Sequence, residues 1–278
     1  MSNPLTSENL YYKPVNKAPV PGIIICLILA IAVGVIGGAI YAFASWHIPF
    51  IYVKVFLTGA FGFLVGYTMD WGFKWGKIRG FWNQKILAII AALISIYCCW
   101  AIWEALVLEQ SPFSLLFQPN LVWITGKLFN TMGLWSISGD TPVTGTMLTV
   151  FWVLEALIIL FVAFTVANEN RPFSVAGNNW AEETKLDPRL PMQEPTEFLK
   201  ALEAQNYDAL LALEKGESTT HHTKLIMYDC EGSDDYFLHV QLVAFEANDD
   251  GKMEAKPYDL AKYIRIEPTA AQQILAAG

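Results

Sequence analysis

The sequence predicts an all-α membrane domain of four transmembrane helices, joined to a small cytoplasmic α+β domain with a mostly antiparallel sheet. Two observations predict this fold class. Four long apolar stretches lie before residue 168, and strand-like segments separated by turn residues follow after residue 193. A helix rises 1.5 Å per residue, so about 20 residues cross a hydrocarbon core of about 30 Å. The predicted spans are residues 22–46, 50–69, 86–108 and 147–167.

Charge divides the chain near residue 168. The part from residue 168 onward holds 20 of the 26 acidic residues but only 10 of the 18 basic ones. Such an acidic domain repels nucleic acid and anionic lipid surfaces, so we predict no nucleic-acid partner. The predicted domains are an N-terminal segment 1–21, a transmembrane domain 22–167 with an outer segment 109–146, a linker 168–193 and a cytoplasmic module 194–278.

Basic residues beside the predicted spans lie almost entirely on one side of the membrane. Only Lys127 lies on the opposite side. By the positive-inside rule, we predict a multi-pass protein of the plasma (inner) membrane with both termini in the cytoplasm. The basic residues on the cytoplasmic side are Lys13, Lys17, Lys74, Lys77, Arg79, Lys85 and Arg171.

Four of these cations alternate with tryptophan and phenylalanine between the second and third spans. Aromatic and basic side chains anchor helices at a membrane boundary. Specific contact with anionic lipid head groups is the alternative use of the same residues. The residues predicted to contact lipid head groups are Lys74, Lys77, Arg79 and Lys85.

The outer segment contains a predicted amphipathic helix. Its apolar residues recur at steps of three and four, with polar residues between them, so they share one helical face. We expect this helix to rest on the outer lipid surface. The alternative is a lid over a pore or cavity. The apolar residues are Leu121, Ile124, Leu128, Met132 and Trp135.

Small residues recur at every fourth position in the first two spans. Helices in a bilayer associate by close van der Waals contact, which small residues permit. Because only three residues separate these spans, they form an antiparallel hairpin, and we expect the two small-residue faces to meet. Self-association through one face is the alternative. The predicted packing residues are Ala30, Gly34, Gly38, Ala42, Gly62 and Gly66.

Three spans each contain one ionisable residue: Lys54, Glu104 and Glu155. A charge at membrane depth costs at least about 2.5 kcal/mol unless it is compensated. Lys54 and Glu104 lie about four residues, and Glu155 about eight, from the estimated outer helix ends. We predict an ion pair between Lys54 and Glu104, with Glu155 as the unpartnered, deeper acid. The alternatives are snorkelling to the interface and a route for an ion or a proton.

The C-terminal module alternates helix and strand signals. A helix is predicted after Pro195 with Thr196 as its cap, and a second helix over residues 207–215. Strands are predicted over residues 225–228, 236–245, 252–256 and 263–266, with a turn at Asp250 and Gly251, and a last helix over residues 269–276.

No motif in the module predicts catalysis, because phosphate-binding loops, zinc-protease motifs and nucleophile elbows are all lacking from the sequence. His221, His222, His239 and Cys230 form at best a loose set of metal ligands. We predict no enzyme activity, no metal and no cofactor.

Two hypotheses for function follow. The first is a non-enzymatic membrane subunit or scaffold that presents the cytoplasmic module to a partner protein, or to further copies of itself as a homo-oligomer in the lipid bilayer. The alternative is a transporter or channel-type protein that uses Lys54, Glu104 and Glu155, with the module as a gate.

Overall fold

The computed structural model describes residues 10–48, 51–133, 142–186, 190–191, 194–207, 221–247 and 252–277. The chain forms two compact units. Residues Val15–Glu169 form the first, which we call the helical unit. Residues Met1–Pro14 and Asn170–Gly278 form the second, which we call the sheet unit.

The helical unit contains five described helices, four of which are long and apolar enough to cross a membrane. The prediction of four candidate spans is therefore confirmed at that level. The helices are α1 (Val20–His47), α2 (Ile51–Gly76), α3 (Phe81–Val107), α4 (Pro119–Met132) and α5 (Gly145–Val166), and α4 is the short one.

Two spans are longer than the hydropathy pattern predicted. α2 continues to Gly76, past the predicted end at residue 69, and α3 begins at Phe81, before the predicted start at residue 86. The added turns contain the tryptophans, phenylalanines and lysines of the second inter-span segment. Hydropathy detects only the apolar part of a helix, whereas boundary residues of this kind continue the helix past the hydrocarbon.

The small residues of α1 pack against α3 and not against α2. A Cβ atom built on Gly34 would lie 3.3 Å from the Cα of Ser95, and one on Gly38 would lie 3.2 Å from the backbone nitrogen of Cys99. Ala30 and Ala42 of the same face are buried as well. Our prediction that this face meets α2 is therefore wrong.

The small residues of α2 pack against α5. A Cβ atom on Gly62 would lie 3.1 Å from the Cα of Ile159, and one on Gly66 would lie 2.8 Å from the Cβ of Val166. The sequence of one helix reveals which face permits close approach. It does not reveal which of the three neighbouring helices packs against that face. Nearness in sequence favours α2 as the neighbour of α1, but in the structure α3 occupies this position.

α1 and α2 nevertheless form the predicted antiparallel hairpin, through a different pair of glycines. Gly22 and Gly76 are in backbone contact, since a Cβ on Gly76 would lie 2.8 Å from the Cα of Gly22. Nearer the other end, a Cβ on Gly37 would lie 3.2 Å from the ring of Phe61. The two helices therefore meet along most of their length.

Lys85 caps the last turn of α5. Its Nζ donates hydrogen bonds to the carbonyl oxygens of Phe164 at 2.5 Å and Ala167 at 3.0 Å, and the residue is only 4% exposed. The amine also lies over the rings of Phe81 and Phe164. A cation at a helix C-terminus interacts favourably with the unpaired carbonyl groups there.

We expect Lys85→Met to lower the stability of the helical unit by about 1–2 kcal/mol, because a partly buried cap of this kind is lost. Thermal unfolding of the full chain in mild detergent measures the loss. Lys127→Met is the matched control, since Lys127 is exposed on α4. Equal melting temperatures for the two variants would contradict the capping role.

Two other predicted head-group residues make contacts inside the helical unit. Nζ of Lys74 lies 2.8 Å from a carboxylate oxygen of Asp70 and 3.8 Å from one of Glu169. Arg79 is 6% exposed, and its backbone pairs with that of Lys17. Lipid contact by Lys74, Lys77, Arg79 and Lys85 stays a prediction.

The sheet unit contains an antiparallel sheet, as predicted. Its strand order is β3-β5-β6-β7, β4 also pairs with β5, and β1 and β2 form a separate pair. The strands are β1 (Phe173–Ser174), β2 (Asn179–Trp180), β3 (Glu182–Lys185), β4 (Leu190–Pro191), β5 (His222–Asp229), β6 (Tyr236–Ala247) and β7 (Met253–Ile266). The described helices are α6 (Pro195–Glu203) and α7 (Pro268–Ala277), and their apolar residues join the main core of the unit.

Several details of the sheet unit differ from the sequence prediction. β1 to β4 lie in residues 168–193, which were predicted as a linker. β7 is one strand where two were predicted. α6 begins at Pro195 with Glu194 as its N-cap, so Thr196 lies inside the helix. The predicted helix over residues 207–215, beyond its first residue, and the turn at Asp250 and Gly251 lie outside the described residues.

Residues 10–14 of the predicted N-terminal segment belong to the sheet unit, and the rest of its described residues belong to the helical unit. The backbone N–H of Arg265 donates to the carbonyl of Leu10 at 2.7 Å, and that of Tyr12 donates to the carbonyl of Tyr263 at 2.9 Å. The hydroxyl of Tyr11 donates to Glu203 at 2.8 Å. Residues from near the two ends of the chain therefore share one hydrogen-bonded structure.

Candidate functional site

α1, α2, α3 and α5 surround a small cavity near the end of the helical unit where α1 is followed by α2. We call this end the hairpin end. The three ionisable residues predicted from the sequence, Lys54, Glu104 and Glu155, all line this cavity. The space has room for about one water molecule. The structure thus brings together side chains from three helices that the sequence could only place at similar depths.

Lys54 pairs with Glu155 and not with Glu104. Nζ of Lys54 lies 3.6 Å from a carboxylate oxygen of Glu155. The predicted pair of Lys54 with Glu104 is therefore wrong. The physical reason is the packing of α2 on α5 through Gly62 and Gly66, which places the carboxylate of α5 beside the lysine of α2.

Tyr41 of α1 completes the site around Glu155. Its hydroxyl donates a hydrogen bond to the Glu155 carboxylate and lies 3.0 Å from the hydroxyl of Thr58. Thr58 in turn donates to the backbone carbonyl of Lys54 at 2.8 Å. The sequence analysis missed Tyr41. Its position could have identified it, because this polar side chain is next to Ala42 and lies at the depth of the ionisable residues.

Glu104 lies under the short helix α4. It is 1% exposed, although it lies only one turn before the end of α3. The hydroxyl of Thr125 donates to its carboxylate, and a Cβ on Gly126 would lie 3.1 Å from Oε1 of Glu104. α4 therefore covers the acid from the hairpin end of the unit.

The amphipathic helix predicted in the outer segment is present as α4. The face that packs on protein contains Val122, Thr125 and Phe129. The predicted apolar face points away from the protein, with Ile124 61% and Leu128 49% exposed. An apolar helical face outside the protein fits a lipid contact, while the opposite face covers Glu104. Trp135 lies outside the described residues.

Tryptophans form much of the remaining cavity wall. Trp100, Trp103 and Trp152 line the cavity, and the rings of Trp100 and Trp152 are 5.1 Å apart in an edge-to-face arrangement. Ser45 and Cys99 contribute the other polar atoms. Aromatic walls exclude water, so charges inside the cavity interact more strongly than they would in solvent.

The histidines of the sheet unit do not converge on one point. His239 Nε2 lies 2.7 Å from Oδ1 of Asp259, whereas Nδ1 of His221 accepts a hydrogen bond from the backbone of Phe245. Hydrogen bonds from Gln241 and His239 hold the pKa of Asp259 below its usual range. Within the described residues, no three His, Cys, Asp or Glu side chains are placed to hold a metal ion.

Comparison of the chain with protein-family models, with curated proteins and with solved structures finds no match. The class of the protein therefore follows from its own architecture. Four candidate membrane spans describe a multi-pass membrane protein with a C-terminal domain built on an antiparallel sheet.

Proposed function

We propose that this protein is a non-enzymatic membrane protein of the transport or channel type, and that its cavity exchanges a proton or a small cation. The single observation that carries the proposal is that Lys54, Glu104 and Glu155, the ionisable residues of the apolar segments predicted from the sequence, line one cavity. Ionisable side chains at membrane depth are costly, and they mark ion pathways and proton relays in membrane proteins.

The charges around the cavity are unbalanced, which supports the proposal. Lys54 neutralises Glu155 at 3.6 Å. Glu104 is buried, and the one hydrogen bond described for its carboxylate comes from an uncharged hydroxyl, that of Thr125. With two acids and one base, the site becomes neutral by taking up one further positive charge. An uncompensated buried charge is strongly unfavourable, so that uptake has a large driving force.

The small volume of the cavity limits what it can bind. Room for about one water molecule admits a proton, or an ion that has lost most of its water. Organic solutes of the size that usual ligand pockets hold, about 300 Å³ or more, are excluded from this conformation.

Flux measurements on the full chain in liposomes test the proposal. We expect Glu104→Gln and Glu155→Gln to slow proton or cation flux about tenfold or more, since a barrier increase of about 1.4 kcal/mol has that effect. Glu109→Gln is the matched control. It removes the same charge at an exposed position just beyond α3.

Flux that is equal in the wild type, Glu104→Gln and Glu155→Gln would contradict the proposal. Flux that falls equally in the Glu109→Gln control would also contradict it, because the effect would then come from surface charge and not from the cavity.

We also propose that both termini lie in the cytoplasm and that the membrane is the inner, or plasma, membrane. The one-sided distribution of basic residues supports the orientation. The backbone hydrogen bonds between residues 10–12 and 263–265 support termini on a common side, as does an even number of spans. Protease added to sealed, right-side-out cells should leave residues 170–278 intact, and their digestion would contradict this orientation.

The sheet unit supports a second candidate function, the presentation of a module to a partner protein. The ends of β6 and β7 form an arm, residues 245–247 and 253–259, that extends past the core. All seven β7 residues of the arm are exposed, including Met253 at 63% and Tyr258 at 49%. β7 is an edge strand of the described sheet, and an exposed edge strand can pair with a strand of a partner protein.

Purification of the full chain from its native membrane in mild detergent tests the second function. We expect a stoichiometric partner or a homo-oligomer that is lost in Met253→Glu and retained in Gln272→Glu, which adds the same charge on the exposed face of α7. A monomer without any partner would contradict it.

A further inference from the structure

We infer that the charge exchanged at the cavity is a proton, that Glu104 binds it, and that Thr125 is the hydrogen-bonding partner of Glu104 in both protonation states. The inference rests on the proposed function, because it names the ion for that same site. It depends on three features: the oxygen atoms around Glu104, the double role of the Thr125 hydroxyl, and the other groups that face the cavity.

The Thr125 hydroxyl can serve either form of Glu104. A threonine hydroxyl is both a donor and an acceptor. Its oxygen lies 2.9 Å from the carbonyl of Leu121 and 3.1 Å from that of Val122, besides its hydrogen bond with Glu104. The ionised carboxylate accepts the hydroxyl hydrogen. The protonated acid donates to the Thr125 oxygen, and the threonine hydrogen turns to the Leu121 carbonyl.

This exchange balances without any other reactant. A hydronium ion gives its proton to one carboxylate oxygen of Glu104, which leaves water and the neutral acid, and the same O–H bond breaks when the proton returns to a water molecule as hydronium. Each protonation state leaves Oε2 of Glu104 and the hydroxyl of Thr125 hydrogen-bonded. Unsatisfied buried groups cost about 1–3 kcal/mol, so a partner that suits both states removes a barrier to exchange.

The cavity is poorly built for a metal cation. Hard cations require six or more oxygen ligands, or several retained waters. The side-chain oxygen atoms of the lining belong to Tyr41, Ser45, Glu104 and Glu155, and Glu155 is already paired with Lys54. The three tryptophans donate hydrogen bonds and accept none. The ammonium group of Lys54 repels any second cation near Glu155. A proton needs neither a coordination shell nor the space that the cavity lacks.

The titratable groups that line the cavity with Glu104 are Tyr41 on α1, Lys54 on α2, Cys99 on α3 and Glu155 on α5. Tyr97, on α3 as well, also interacts electrostatically with Glu104. On α4 the cation Lys127 lies over the ring of Trp123, on an exposed part of the helix. Lys54 and Tyr41 both interact with Glu155, and among the described residues no cation lies within ion-pair distance of Glu104.

Infrared difference spectroscopy of the full chain in detergent tests the inference directly, because a protonated carboxyl group has its own C=O stretch. We expect this band to disappear as the pH is raised. Above about pH 6, where ordinary carboxyl groups are ionised, it should be absent in Glu104→Gln and present in Glu155→Gln and in the control Glu109→Gln. In Thr125→Val the band should remain but change in frequency, because the hydrogen bond is removed.

Sodium and potassium titrations separate a proton from a cation. We expect the midpoint of the band to be independent of either salt at fixed pH. A midpoint that falls by about one pH unit for each tenfold increase in Na⁺ would show one-for-one competition at the carboxylate and overturn the inference. An unchanged band in Glu104→Gln would also overturn it. If that variant does not fold, an unshifted band in Thr125→Val overturns it instead.

The two proposals fail in different experiments. If the band behaves as expected but flux does not depend on Glu104, the proton site is supported and the transport function is contradicted. If flux depends on Glu104 but sodium competes at the band, the transport function is supported and the proton is not the transported ion.

Discussion

Lys54→Met should destabilise the helical unit by about 3 kcal/mol, near the lower end of the range for breaking a buried ion pair. The substitution leaves the Glu155 carboxylate without its cation in a cavity walled by tryptophans. The lower end of the range applies because the Lys54 side chain is 30% exposed and therefore partly solvated. Thermal unfolding of the full chain in mild detergent measures the effect.

A double-mutant cycle separates the pair from the lysine alone. The double variant Lys54→Met/Glu155→Gln should recover at least about 1 kcal/mol relative to the sum of the single changes, because neither charge then remains unpaired. Lys54→Arg, which keeps the charge, is the control. Additive losses would mean that Lys54 extends to the interface and does not pair with Glu155.

Gly22→Ala should lower the stability of the helical unit by about 1–3 kcal/mol, the usual cost of forcing an extra methyl group into a packed contact. The added Cβ would overlap the backbone carbonyl of Gly76. Backbone atoms cannot turn away as a flexible side chain does, so α1 and α2 must separate locally. The melting temperature of the full chain in mild detergent measures the loss.

Gly59→Ala is the matched control for Gly22→Ala. No atom lies within 4 Å of a Cβ built on Gly59, which is inside α2. Alanine is favoured over glycine in a helix by up to about 1 kcal/mol, so this variant should be as stable as the wild type or more stable. Equal losses in both variants would show that the contact of Gly22 with Gly76 is not what limits stability.

The sequence predicted the parts of this protein that depend on local composition. Apolar length identified four spans because a helix in lipid must satisfy its own backbone, and this rule depends on nothing outside the segment. Strand-like segments separated by turn residues identified the sheet for a similar reason. In β3, by contrast, Glu182, Glu183 and Thr184 are all exposed, so this edge strand has no buried face to reveal it.

The candidate site was only partly predictable. The three ionisable residues were identified because charges are rare in spans, but their pairing depends on which helix lies beside which. The contact of α4 with Glu104 was not predicted. The apolar face of this helix was expected to face lipid, so the opposite face is free to lie on protein, where Thr125 contacts Glu104.

The hydrogen bonds of Leu10 and Tyr12 with β7 have a consequence for biosynthesis. Proteins emerge from the ribosome N-terminus first, at about 5–20 residues per second. The first residues of the sheet unit are therefore made before any span, and their partners in β7 are made after all of them. This unit can finish folding only after all four candidate spans have been synthesised. A fragment of residues 170–278 expressed alone would lack residues 10–12, and β7 would then lack the backbone hydrogen bonds that these residues make with it.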